Sequence, residues 1–397
     1  MFEKFRGNFT AYFSKHPSHE MKELYWSVGI LDFATSAIAL FEPIYLWTLH
    51  YSLSQILIFY GSVYLFYIIL IPFGGRIAAK FGFEHSILYS HFAFIGYYMA
   101  LFALPSLPWL IFVAPIIFAI QKSLYWPPYH ADFAIFSAKE QRGREVAGIL
   151  TVNAVVTILG PIFGGLVLNF LGFHSLFIII SVLFLASCRP LFKLKEIHDA
   201  KPYSYKTYWQ LLWKPSHRQS TISYLGYGEE LVALIMWPIF LYLAIPNYSE
   251  LGLLVGISTL VTILLVLIIG KKADQAPQKS VLSLGSFFMA GIWMLRAIFA
   301  LTPWKLITLD AIGRTAKNTV SIPMMSMTYE HGMREDPLAI AVFFEQALAI
   351  GKFLMAVILL FLIQYMNPWI AFFVLSAGAS ILYQLCKAPS PEEKKLV

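Results

Sequence analysis

The sequence predicts an all-α membrane protein with twelve transmembrane helices in two pseudo-symmetric six-helix bundles. Composition is the first reason. Of 397 residues, 58% are hydrophobic and only 13% charged, with a mean hydropathy of +0.68. That leaves too little polar surface for a soluble chain. An internal repeat is the second reason. Residue n falls on residue n+195 without a gap: Pro43 on Pro238, Gly61 on Gly256, Gly75 on Gly270, Gly96 on Gly291, Met99 on Met294, Pro108-Trp109 on Pro303-Trp304, Lys122 on Lys317 and Pro128 on Pro323. Leu and Ile coincidences mean little in so apolar a chain, but Pro, Trp and Lys at one constant offset mark two copies of one bundle. A duplicated bundle of this kind places its site between the copies.

The third reason is span length. Apolar runs of about 20 residues, enough to cross roughly 30 Å of hydrocarbon, recur at 24–49, 52–73, 84–104, 108–136, 145–169, 173–192, 221–244, 249–270, 279–300, 303–330, 337–365 and 368–386. Basic residues gather at one set of ends: Lys4, Arg6, Lys15 and Lys22 before span 1, Arg76 and Lys80 after span 2, Lys139, Arg142 and Arg144 after span 4, six between spans 6 and 7, and Lys387, Lys394 and Lys395 in the tail. The opposite turns are short and nearly uncharged, Lys305 excepted. By the positive-inside rule both termini are cytoplasmic. The net charge of +7 is thus topological, and no nucleic-acid partner is expected. Phe2, Phe5, Phe9 and Phe13 recur at helical spacing and predict a short interfacial helix. Residues 194–220, aromatic and basic, predict a cytoplasmic linker between an N-terminal half, 1–193, and a C-terminal half, 221–397. Within it, 203–214 are expected to form a helix against the inner leaflet. Cys188 and Cys386 lie at cytoplasmic ends of spans, where no disulfide is expected.

Two six-span halves with inside termini and a charged central loop resemble the major facilitator superfamily over essentially the whole chain. Gly75-Arg76-Ile77-Ala78-Ala79-Lys80-Phe81-Gly82 resembles that family's cytoplasmic loop between spans 2 and 3, with Ala79 where an aspartate is usual. The second half keeps the acid, in Gly270-Lys271-Lys272-Ala273-Asp274. The resemblance assigns Arg76, Lys80 and Asp274 to gating loops, with any lock lopsided between halves. Gly160-Pro161-Ile162-Phe163-Gly164-Gly165 in span 5 is similar to the signature of the family's drug:proton antiporters, although Val156 stands in place of its leading glycine. Small residues and a proline also suit close helix packing, which explains the motif equally well. Ala138 to Arg144 matches the usual loop after span 4.

Charge at bilayer depth is costly unless paired or hydrated, so each buried ionisable residue is a candidate. The resemblance implies that spans 1, 4, 7 and 10 line the central cavity. They carry Asp32 and Glu42, Lys122, Glu229 and Glu230, and Asp310, Arg314 and Lys317; the last three share one helical face. The repeat puts Lys122 and Lys317 at equivalent depths. Two lysines there need acids or an anionic ligand to balance them. One reading is a closed set of ion pairs holding the bundle together; the other is a cavity whose acids titrate and whose bases bind anions or exchange partners. Glu345 and Lys352 share a face of span 11, so Glu345 is either a second proton site or half of an internal pair. Arg296 is expected to snorkel to the outer interface. Tyr125, Trp126, Tyr129 and His130 follow Lys122 and either give the cavity an aromatic wall or pack and face lipid, and His130 and Asp132 are expected to pair with the cytoplasmic loop.

No HExxH, GxSxG, P-loop lysine or Cys/His metal spacing is present, so neither an enzyme nor a metal or cofactor site is expected. The expected function is secondary active transport by alternating access, as proton-coupled export of a small organic or drug-like solute. The alternatives are proton-coupled uptake or exchange of an organic anion or zwitterion and, from another class, a non-transporting membrane sensor or assembly protein. The expected setting is a prokaryotic inner membrane, and the expected partners are a small-molecule substrate, protons and lipid, with the chain acting as a monomer.

Overall fold

The structure is a computed structural model describing residues 19–137, 143–191, 204–273, 276–298 and 302–386. The Phe2–Phe13 stretch, Asp274, residues 138–142 and the tail lysines lie outside the described residues. So do the linker lysines Lys193, Lys195 and Lys201. The described chain is helical throughout: α1 His19–Ala39, α2 Glu42–Thr48, α3 Leu53–Phe81, α4 Phe83–Ala103, α5 Leu110–Ser137, α6 Gly143–Leu191, α7 Tyr205–Trp213, α8 Arg218–Leu225, α9 Glu229–Leu231, α10 Trp237–Ala244, α11 Tyr248–Ala273, α12 Gln278–Ile298, α13 Pro303–Arg334, α14 Pro337–Leu362 and α15 Pro368–Ile381. Ten helical segments among the described residues are long and apolar enough to cross a membrane.

Local sequence explains the boundaries. Ser52 opens α3 with a reciprocal capping box, its hydroxyl accepting from the Gln55 amide while Gln55 accepts from the Ser52 amide. Asp336 and Asn367 cap α14 and α15, each followed by a proline whose missing N–H costs nothing in a first turn. α6 carries one break, at Gly172, with φ 77° and ψ 177°. Only glycine adopts that backbone readily, and it falls in the Leu171-Gly172 turn expected between spans 5 and 6. α13 is left out of the apolar set because Lys305, Asp310, Arg314 and Lys317 lie along it.

Of the three proline pairs in the repeat, Pro43 and Pro238 each sit just after an interruption. Pro43 is in the first turn of α2, after the break at Leu40-Phe41 that separates α2 from α1. Pro238 is in the first turn of α10, after a π turn at Val232–Met236. Proline withholds an N–H and clashes with the carbonyl four residues back, so an interruption before it relieves the strain; Pro72, Pro128 and Pro323 lie inside continuous helices. Glu42 lies in the first break. Glu229 and Glu230 lie immediately before the second.

Close contacts between the first and second halves of the chain run through α3 on α14 and α6 on α11. Glycine lets both pairs approach. A methyl on Gly165 would collide with the Tyr248 carbonyl, and one on Gly252 with the Pro161 carbonyl. On its other face the same motif meets α1, where a methyl on Gly164 would collide with the carbonyl of Ala37. The Gly160–Gly165 motif therefore holds α6 against α1 and α11 at once. Gly164→Ala should lower stability by about 1–3 kcal/mol through overpacking, read by thermal unfolding in detergent. Gly291→Ala, where the methyl meets nothing within 4 Å, should be neutral.

The linker helix α7 begins at Ser204, whose hydroxyl caps Thr207. It packs on α3 and α14 by burying Tyr208 and Leu212, while Trp213 stays exposed. Tyr208 fills the space over Gly75 beside Val342, and Tyr205 stacks near Phe73 with ring centroids 4.7 Å apart. The helix is thus docked on the bundle through one face. Single cysteines at the exposed Lys206 and Gln210 should react with an impermeant reagent only from the cytoplasmic side; labelling from outside would reverse the topology.

Candidate substrate and proton site

Two cavities hold most of the buried charge. The first, about 250 Å³, is lined by Asp32, Glu42, Tyr60, Lys122, Tyr125 and Trp126, with Leu234 and Ile235 reaching in from the π turn. Glu42 is 5% exposed and sits in a cage of three phenols. Tyr60 and Tyr97 donate to Oε1 at 2.8 and 2.7 Å, and Tyr98 donates to Oε2 at 3.2 Å. Among the described residues no base lies within 4.0 Å of it. Asp32 accepts from the Asn153 amide at 2.7 Å. Lys122 rests over the rings of Phe118 and Tyr64, 4.5 and 5.9 Å from their centroids. It has no acid at ion-pair distance among the described residues, although Glu345, Glu42 and Glu230 all act on it electrostatically.

The second cavity, about 440 Å³, is lined by Asn153, Glu229, Glu230, Asp310, Arg314 and Lys317, among others. Here acids and bases alternate. Glu229 Oε1 lies 2.7 Å from Lys317 Nζ, Lys317 lies 2.8 Å from Glu230 Oε1, and Glu230 Oε2 lies 2.6 Å from Lys352 Nζ. Tyr383 donates to Glu229 at 2.9 Å, and Lys317 also lies over the rings of Tyr227 and Tyr383. Glu229 Oε2 is buried without a hydrogen-bond partner among the described residues. Arg314 pairs with Asp310 one turn away at 2.7 Å, and the Trp237 indole N–H donates to the other Asp310 oxygen at 2.9 Å. Asn153 lines this cavity and bonds the Asp32 of the first, so the two share a wall.

Glu345 lies in neither cavity. Tyr67 donates to it at 2.7 Å, His130 Nε2 meets its other oxygen at 3.0 Å, and His130 Nδ1 meets the Tyr329 hydroxyl at 2.9 Å. Tyr67 and His130 come from the first half of the chain, Glu345 and Tyr329 from the second. This node spans the two.

The matching family model is the Major Facilitator Superfamily, over residues 24–245. The chain belongs to the major facilitator superfamily. As a member it is a multi-pass membrane transporter protein. It also matches a Na(+), Li(+), K(+)/H(+) antiporter of Planococcus maritimus at 34% identity over 97 residues, which is 23% of this chain and 23% of the relative's length.

Several expected placements change in this facilitator. Arg296 does not snorkel: at 6% exposed it is sandwiched between Trp237 and Trp293, 3.9 and 4.2 Å from the ring centroids, with the Leu309 carbonyl at 3.4 Å. Two indole faces and the nearby Asp310 outcompete the interface. His130 pairs with Glu345 across the halves instead of with the loop, and Glu345 is not the partner of Lys352, which turns to Glu230. Lys122 and Lys317 occupy contrasting surroundings, one over aromatic rings and one between two carboxylates. Arg76 and Lys80 are exposed at the end of α3. Sequence reasoning missed the cage of Tyr60, Tyr97 and Tyr98, and Tyr383. In a chain with 22 tyrosines nothing local separates a carboxylate ligand from a packing ring.

The contrast between the lysines has a measurable consequence. Lys317→Gln should strand the buried Glu229, while Glu230 keeps Lys352, and cost about 3–5 kcal/mol. Lys122→Gln removes no ion pair and should melt near wild type. Thermal unfolding of both variants in detergent checks the order, and a more destabilising Lys122→Gln would overturn it.

Proposed function

We propose that this facilitator is a proton-coupled antiporter that exports a small cationic or lipophilic organic solute by alternating access. The observation that carries the reading is Glu42, a carboxylate at bilayer depth held by three phenols and no base. Such an acid binds and releases a proton without breaking an ion pair, whereas every carboxylate of the second cavity except by rearrangement stays tied to lysine or arginine. Asp32, bonded among the described residues to the neutral Asn153 amide, is its companion in the same cavity. The break at Leu40-Phe41 places Glu42 where α1 and α2 change direction, so protonation there and a change of helix geometry can be coupled.

The rest of the reading follows the superfamily. Twelve spans form two pseudo-symmetric halves, 1–193 and 221–397, joined by the 194–220 linker, in a monomer with cytoplasmic termini in a prokaryotic inner membrane. Splitting α6 at Gly172 and counting α13 as a crossing supports twelve. The paired Pro43 and Pro238 interruptions support the pseudo-symmetry. The Gly160–Gly165 motif and the partial likeness to a cation/proton antiporter support antiport, and the latter adds monovalent metal cations to the solutes worth testing. Lys122 favours a second reading, exchange of an organic anion, because its ammonium faces the first cavity without a carboxylate partner.

Proteoliposomes with an imposed pH gradient and a panel of cationic, anionic and zwitterionic solutes test both readings. Glu42→Gln should abolish gradient-driven accumulation while sparing solute exchange, since only the ionisable step is removed. If Glu42→Gln keeps wild-type coupling, the proton carrier is another acid, and Asp32→Asn and Glu345→Gln come next. Accumulation of anions alone, lost in Lys122→Gln, would replace the proposal by the second reading.

A further inference from the structure

A cluster unrelated to either cavity forms where α7, α8 and α13 end together. His217, at the start of α8, is 1% exposed on its side chain, and its Nε2 lies 3.1 Å from Glu335 Oε1. His331, in the last turn of α13, brings its Nε2 to the same oxygen at 3.2 Å. All three ligand atoms lie within 4.8 Å of one another. His217 Nδ1 faces the Leu211 carbonyl at 3.1 Å. A backbone carbonyl on one ring nitrogen fixes the ring and leaves the other nitrogen to a metal, a common outer-shell arrangement for ligating histidines.

We propose that His217, His331 and Glu335 bind a divalent transition-metal ion, with zinc the ion best suited to two imidazoles and a carboxylate. Ligands about 2.1 Å from a tetrahedral ion stand roughly 3.4 Å apart, close to the two nitrogen–oxygen distances already present. Lys214 is the competitor, its ammonium 3.1 Å from Glu335 Oε2. It is half-exposed on a flexible stem and can swing outward when a metal takes the carboxylate. The remaining coordination position then opens on the exposed side, where water completes the set. A bound ion would fasten the C-terminal end of α13 to the start of α8 and, through the Leu211 carbonyl, to the linker helix α7.

The test uses full-length protein in detergent, freed of any affinity tag and dialysed against chelator, then titrated with Co²⁺ and with Zn²⁺. The expected result is one Co²⁺ per chain with the visible spectrum of a tetrahedral site, displaced by Zn²⁺, together with a Zn²⁺-dependent rise in melting temperature. His331→Ala and Glu335→Gln, both at partly exposed positions, should each weaken binding by about tenfold or more. Lys214→Gln should tighten it by removing the competing charge. Absence of stoichiometric binding, or equal affinity in wild type, His331→Ala and Glu335→Gln, overturns the site.

Discussion

A charge carried to the middle of a bilayer has to be cancelled there, and in this protein the cancelling is shared along a chain of groups. Glu229, Lys317, Glu230 and Lys352 alternate in sign, and each inner member touches two partners. Three segments contribute: the α9 region, α13 and α14. None can shift far without another taking up the loosened partner. A closed pair would hold these helices together and no more. An alternating chain permits exchange, because Lys317 or Lys352 can follow whichever carboxylate moves while the number of uncancelled charges stays constant. The same chain of contacts therefore ties α9, α13 and α14 together.

The first cavity handles the same cost by another route. Glu42 is surrounded by hydroxyls, and Lys122, which lines the same cavity, spends its charge on ring faces. Phenols stabilise a carboxylate through hydrogen bonds and can turn to accept from a carboxylic acid, so the cage accommodates both forms. The two cavities thus differ in their electrostatics. One is built from ion pairs, the other from hydrogen bonds, and Asn153 stands in the wall between them.

Most of the fold was legible because its causes are local or periodic. Apolar run length and the gap at Gly172 each act within a few residues, and the described residues have a helix or a break where they call for one. The candidate acids and bases were legible by rarity, since few charges occur inside the spans. Their pairing was not. Arg296 depends on Trp237 and Trp293, Lys352 on Glu230, and His130 on Glu345, contacts set by helix rotation and by which side chains reach across an interface. Similarly, His217 lies more than a hundred positions from His331 and Glu335, so no spacing rule could join them. The repeat was a partial guide here: it placed Lys122 and Lys317 on corresponding helices but carried no information about neighbours outside the repeat.

The stack of Trp293, Arg296 and Trp237 has a practical side. Indole emission responds to nearby charge, and Trp237 touches two: the guanidinium over its face and the Asp310 carboxylate on its N–H. Asp310 in turn holds Arg314 at the wall of the second cavity. Any event that draws Arg314 away alters the field on this indole, and so the colour and brightness of its fluorescence. The protein carries its own dye, placed one hydrogen bond from an ion pair at the cavity wall.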